Sequence, residues 1–235
     1  MDDYTQNHFQ LFYHYLFDSG LKTKLALHYT RGKGYFEQFR PDEDLSIYHI
    51  DPYVSGNDTV YSTDIVRRRW LDNHFYGSVA SLQYKKGIID LSLGGAYNEY
   101  LGRHFGEAIQ TSFTEYEALN AIYYDNDAKK TDGNTYVKIQ LDFGSIHPYL
   151  DLQMRWVDYS FEGLDQNGDR SQQRVKYQFA NPKFGLVYRI NPLLSIRGMY
   201  AIGNREPVRD DLVNSTPESR PEAENHEDIE LSLNF

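Results

Sequence analysis

Residues 8–30, "HFQLFYHYLFDSGLKTKLALHYT", decide the fold. In an extended chain Phe9, Leu11, Tyr13, Tyr15 and Phe17 fall on one face. Asp18-Ser19-Gly20 then supplies the residue types of a tight turn. On the return, Leu21, Thr23, Leu25, Leu27 and Tyr29 share one face, while Lys22, Lys24, Ala26, His28 and Thr30 share the other. A period of two over this length is the signature of a strand, not a helix. The segment is a β-hairpin with one apolar face.

The same pattern recurs along the chain. Ile89, Leu91, Leu93 and Tyr97 alternate with Asp90, Ser92 and Asn98. Leu150, Leu152, Met154 and Trp156 alternate with Asp151, Gln153 and Arg155. Further segments follow suit through Phe184–Ile190, Leu194–Ile202 and Ile229–Phe235. Nine strands are expected, at about 8–17, 21–38, 66–85, 88–107, 134–143, 146–162, 173–190, 193–204 and 229–235. Their connections alternate between two kinds. Short ones are "DSG", "KKG", "FGSI" and "NPL"; long, polar ones cover roughly 40–64, 108–133, 163–172 and 206–228.

Composition narrows the class. The chain has 235 residues, no cysteine, and a net charge of −10, which excludes thiolate metal sites and argues against nucleic acid as a partner. Mean hydropathy is −0.67, and no run of about 18 apolar residues is present to form a transmembrane helix. Twenty-one tyrosines in so polar a chain suit an interface, where an apolar ring and a polar tip are both useful.

Alternation also fits a soluble sandwich. Three features favour a membrane barrel instead. Several strands exceed the usual five or six residues. Short turns alternate with long loops, as periplasmic turns alternate with extracellular loops in outer-membrane barrels. The polar face carries Lys, Arg, Asp, Gln and His at mid-strand. The expected fold class is therefore all-β: an antiparallel transmembrane β-barrel segment of about nine strands, with short periplasmic turns and long extracellular loops. Bacterial single-chain barrels have even strand numbers, so nine strands are expected to be part of a larger barrel.

Specific motifs sharpen this. "YAIGNREPVRDDLVNSTPESRPEAENHEDIELSLNF" (200–235) resembles the barrel of TonB-dependent outer-membrane receptors, especially those of Bacteroidetes. "YYDNDAKKTDGNTYVKIQ" (123–140), "DLQMRWVDYSFEG" (151–163) and "FANPKFGLVY" (179–188) resemble neighbouring pieces of the same barrel. The resemblance implies a 1–235 barrel segment of a receptor importing a scarce ligand such as an iron-siderophore, cobalamin or a glycan. It implies outer-membrane lipid and lipopolysaccharide as surroundings. TonB contact would run only through a plug domain, and neither plug, TonB box nor signal peptide resembles anything within these residues. Two alternatives remain: a stand-alone small outer-membrane barrel with a structural or adhesive role, and a soluble glycan-binding β-domain.

Site candidates are few. No H-E-x-x-H, G-x-S-x-G or glycine-rich phosphate loop occurs, so neither enzyme activity nor a cofactor is expected. Asp165, Asn167 and Asp169 begin like a calcium loop, but Arg170 stands where glycine is required, so a polar turn is the simpler reading and no metal is expected. Arg67 to Arg69 could meet lipopolysaccharide phosphates or form an ordinary strand end. His14 and His28 are expected to line the lumen on adjacent strands. Arg205, Asp210 and Asp211 lie in or beside the acidic 206–228 loop, and together with the two histidines they are the ligand-binding candidates.

Overall fold

The computed structural model describes residues 2–113, 119, 121–164, 169–213, 215–216 and 218–235. In chain order the strands are β1 (Asp2–Leu16), β2 (Leu21–Asp44), β3 (Tyr53–Ser55), β4 (Asp58–Val60), β5 (Ser62–Lys86), β6 (Ile89–Thr111), β7 (Ala121–Leu141), β8 (Ile146–Leu164), β9 (Arg170–Asn191), β10 (Leu194–Arg205) and β11 (Glu224–Asn234). A 3-10 turn covers Leu45–Tyr48 and a five-residue helix, α1, covers Arg209–Val213. All but β3 and β4 form one nine-stranded antiparallel sheet, ordered β1-β2-β5-β6-β7-β8-β9-β10-β11. Among the described residues β1 and β11 each pair on one side only, so the sheet is open. No helix is long and apolar enough to cross a membrane, which says nothing of strands.

Tight turns join the strands at one end. At the first, the Gly20 amide donates to Phe17 O at 2.9 Å, and Gly20 takes φ +84°, a conformation that costs a residue with a Cβ. At the third, the Asp142 carboxylate accepts from the Gly144 amide at 2.9 Å, with Gly144 at φ +81°.

Register turns the period-two pattern into two continuous surfaces. Leu21, Tyr84, Leu91, Ile139, Leu150, Phe184, Tyr200 and Ile229 are successive cross-strand partners from β2 to β11. One residue along, the row reads Lys22, Gln83, Ser92, Lys138, Asp151, Lys183, Ala201 and Asp228. A one-residue step thus carries every strand from an apolar to a polar face. The apolar side chains stand bare: Leu231 is 82% and Ile229 79% exposed. A continuous apolar surface of this size suits hydrocarbon, where the backbone must also pair within the sheet.

The apolar band has a definite height. On β2 it runs from Leu21 to Tyr29, within the roughly 9–11 residues a tilted strand needs to cross the hydrocarbon core. Beyond Tyr29 and its partner Tyr76 the same face becomes charged, as in the row Lys33, Asp72, Arg103, Asp127, Glu162 and Gln172. Ion pairs lace it, including Arg103–Asp125 and Arg174–Asp158, each at 2.6 Å. The strands therefore stand well clear of the bilayer.

This projection corrects the boundaries read from sequence. β7 begins at Ala121, not 134; β1 begins at Asp2, not 8; β11 begins at Glu224, not 229. Residues expected to belong to loops continue the ladder. Above the lipid both faces of a strand are wet, so "DNDAKKTDG" carries no apolar alternation although it pairs in register with β6 and β8.

Candidate functional site

Two connections at the outer end fold back over the sheet. After β2, Leu45 and Tyr48 are buried against Ile65, Ala108, Tyr123 and Tyr124. Asp44 caps that turn by accepting from the Ser46 amide at 2.9 Å. The second connection, between β10 and β11, opens with the motif "GNREPVRDD" and is tied to the polar face along its course.

Glu206 supplies the first tie. Arg155 on β8 donates to it through Nη1 at 2.7 Å and Nη2 at 2.9 Å, and Lys130 Nζ on β7 reaches the same carboxylate at 2.8 Å. Arg155 also grips Asp132, one contact being Nε to Oδ2 at 3.1 Å. Burial alone would push the Glu206 carboxyl up, but the hydrogen bonds from Arg155 and Lys130 outweigh it and hold the pKa at about 2. Glu206 is thus an ionised, 11% exposed anchor within a loop whose acidity otherwise suggests solvation.

Arg209 supplies the second. Its Nη2 donates to Asn126 Oδ1 at 2.8 Å and its Nη1 meets His104 Nδ1 at 3.4 Å. A guanidinium only donates, so Nδ1 of His104 accepts and Nε2 carries the proton toward the Tyr100 hydroxyl at 3.1 Å. α1 then places Leu212, 1% exposed, among Ala128, Val157, Tyr159, Phe161 and Val175. Gln173 Nε2 donates to the Leu212 and Ser215 carbonyls at 3.0 and 2.6 Å, and Arg220 in turn donates to Gln173 Oε1 at 3.1 Å. The connection is a strap across the polar face of β6–β9, and a cavity of about 390 Å3 lies between strap and wall.

The residues singled out from sequence do not converge. His14 pairs with Lys24 and is exposed, whereas His28 pairs with Gln10 and shares a 2.9 Å hydrogen bond with Asn98. Both do lie on the polar face. Arg205 is paired with Glu224 at 2.7 Å and borders the strap cavity. Asp210 is exposed, and Asp211 caps the start of α1 by accepting from the Val208 amide at 3.1 Å. Of the three arginines, Arg67 and Arg69 turn to the polar face, Arg67 donating to Gln38 and Tyr48. Arg68 alone is on the outer face, bound to Glu37 at 3.0 Å over the Tyr35 ring. The calcium-like motif falls largely outside the described residues. No group of three or more His, Asp or Glu side chains able to hold a metal occurs among the described residues.

Asn126, Lys130, Asp132 and Arg155 fall within the quoted motifs, but neither they nor His104 were singled out as site residues. The GNREPVRDD segment stood out, but the wall partners of its Glu206 and Arg209 lie 51 to 105 residues away.

A larger depression, about 850 Å3, opens on the outer face between Asp72 and Arg174. Its charges pair largely with one another or with immediate neighbours, as in Arg31–Asp72 and Arg103–Asp125. It offers no comparable enclosed chemistry.

An antiparallel sheet with one lipid-suited face, one polar face, tight turns at one end and loops folded onto the polar face at the other is the wall of a membrane β-barrel. The family described as TonB dependent receptor-like, beta-barrel, matches residues 1–230, and the chain belongs to it. This is a family of outer-membrane receptors and transporters. Among solved structures, the siderophore receptor PiuA from Acinetobacter baumannii aligns with TM-score 0.60 and 13% identity, over 99% of this chain and 37% of that one. At that identity the likeness is one of fold, and the chain spans little more than a third of its neighbour. No curated protein matches the chain.

Proposed function

We infer that this chain is a section of the barrel wall of an outer-membrane receptor that imports a scarce small molecule: an iron-siderophore, cobalamin or a glycan. The observation that carries this is the strap. A connection at the outer end is folded inward over the polar face and held by a half-buried ion cluster, where a passing ligand would meet it. The wall's part is to present that face and to close against further strands, since each free backbone group at an open edge in lipid costs several kcal/mol. Energy coupling belongs to TonB acting through a plug domain, not to these strands. Above the apolar band, the charged rows around Arg68, Arg103 and Arg174 sit at the level of lipopolysaccharide headgroups.

The test is uptake in the source organism. Cells in which the coding segment is deleted in frame are compared with the parent for uptake of labelled ferric siderophore, cobalamin and oligosaccharide. Loss of one of the three supports the proposal and names the ligand; unchanged uptake of all three refutes it. A companion prediction is that residues 1–235 expressed alone import nothing. Because a siderophore receptor shares the fold, ferric siderophores are the first ligand to try.

A further inference from the structure

Among the described residues Arg209 makes no salt bridge. Its partners, Asn126 and His104, are both neutral, and its Nε is buried with no hydrogen-bond partner among the described residues. The Tyr159 hydroxyl, within a residue only 8% exposed, also lacks a close hydrogen-bond partner among the described residues, and Arg209 is its nearest cationic neighbour. Both residues line the 390 Å3 cavity under the strap. The other charges there are already spent on each other: Lys130 and Arg155 hold Glu206, and Arg155 also holds Asp132. Arg205, also at the rim, is held by Glu224, so with Arg209 added four cations face three carboxylates. Asp210, the chain neighbour of Arg209, lies near enough to act on Tyr159 but is exposed and makes no salt bridge with Arg209, and Asp211 is engaged with the Val208 amide.

We propose that the cavity beneath the strap binds a small carboxylate attached to a flat apolar body, with Arg209 and Tyr159 holding the carboxylate and the strap closing over it. A buried donor left unpaired costs on the order of 1–3 kcal/mol, and a carboxylate placed between these two groups satisfies both. Guanidinium is suited to that task because its planar fork matches the two oxygens of a carboxylate. The remaining walls, Val157, Val175, Leu212 and the Tyr177 ring, offer apolar surface to the body of the ligand. The volume lies within the few hundred Å3 usual for small-molecule sites. The site needs only strap and wall, so it stands or falls independently of uptake.

The experiment uses the intact receptor purified in detergent and ligand-observed NMR with benzoate as the probe, against benzamide as its uncharged isostere. Benzoate is expected to bind in the millimolar range or better, with benzamide at least about tenfold weaker. Arg209→Gln should weaken benzoate by about tenfold and abolish the preference over benzamide. Tyr159→Phe, which removes one oxygen and leaves the packing intact, should weaken it severalfold. Val175→Phe should block the cavity. No benzoate binding, equal binding of benzamide, or full affinity in both Arg209→Gln and Tyr159→Phe overturns the proposal. The comparison of the two probes on unaltered protein decides even if a variant fails to fold.

Discussion

Arg155 and Glu206 are 51 residues apart and joined by two charge-assisted hydrogen bonds of 2.7 and 2.9 Å. The pair links the middle of the barrel wall to the first residue of the strap. Arg155 is 22% and Glu206 11% exposed, so removing either partner leaves a partly desolvated charge behind.

Glu206→Gln should therefore release the strap without unfolding the wall. The expected loss is ~1.5–3 kcal/mol of strap docking, the range for hydrogen bonds to charged groups. Hydrogen exchange on the intact receptor checks it: protection should fall across 206–213 and stay unchanged in β8. Equal loss in both would mean that the pair supports the sheet, not the strap.

Acid should do the same, late. The Glu206 pKa, about 2, lies below the ordinary 4.5. Its contribution is fully present above 4.5 and is lost as pH falls through about 2. The strap should stay docked at pH 4 and open near pH 2. Hydrogen exchange labelled across that interval reads the midpoint, and opening already between pH 4 and 5 would contradict the assignment.

Leu212→Ala tests the apolar half of the same clasp. Leu212 is 1% exposed and packs against a cluster of five buried wall residues. Truncation of a buried leucine costs about 2–5 kcal/mol, here drawn from docking of the strap. Limited proteolysis within 206–223 should accelerate, whereas the gel mobility of the folded barrel should not change.

Adjacent residues on β8 should respond oppositely to one substitution. Leu152 lies in the apolar row between Val137 and Pro182, and Gln153 lies on the polar face beside Asn181. Leu152→Arg places a charge in hydrocarbon at a cost of about 2–4 kcal/mol near the midplane. Gln153→Arg places it in water. Heat-modifiable mobility on gels should show impaired assembly for the first and near-normal assembly for the second; the reverse order would invert the faces.

Gly133 lies under Trp156 on the outer face, and a Cβ there would come within 2.2 Å of the indole. Gly133→Ala should lift the ring, costing about 1–3 kcal/mol. In a Trp70→Phe background the tryptophan emission maximum should shift, and an unmoved maximum would show that the ring had room.

Within the bilayer the sequence by itself determined the architecture. Lipid on one side and water on the other impose a period of two, and Leu21 against Lys22 or Leu150 against Asp151 declare the faces without any knowledge of partners. The nine strands of the main sheet and the placement of His14 and His28 on the polar face were legible for that reason, whereas β3 and β4, within the expected 40–64 loop, were not. Outside the bilayer both faces meet water, the alternation vanishes, and residues 121–133 belong to a strand only because β6 and β8 pair with them. The strap was further from view. Glu206 and Arg209 look like any residues of a charged loop until register brings Arg155, Lys130, Asn126 and His104 beneath them. A periodic signal is local to each strand, whereas a counter-ion is a matter of distance in space, and only the tertiary structure decides that.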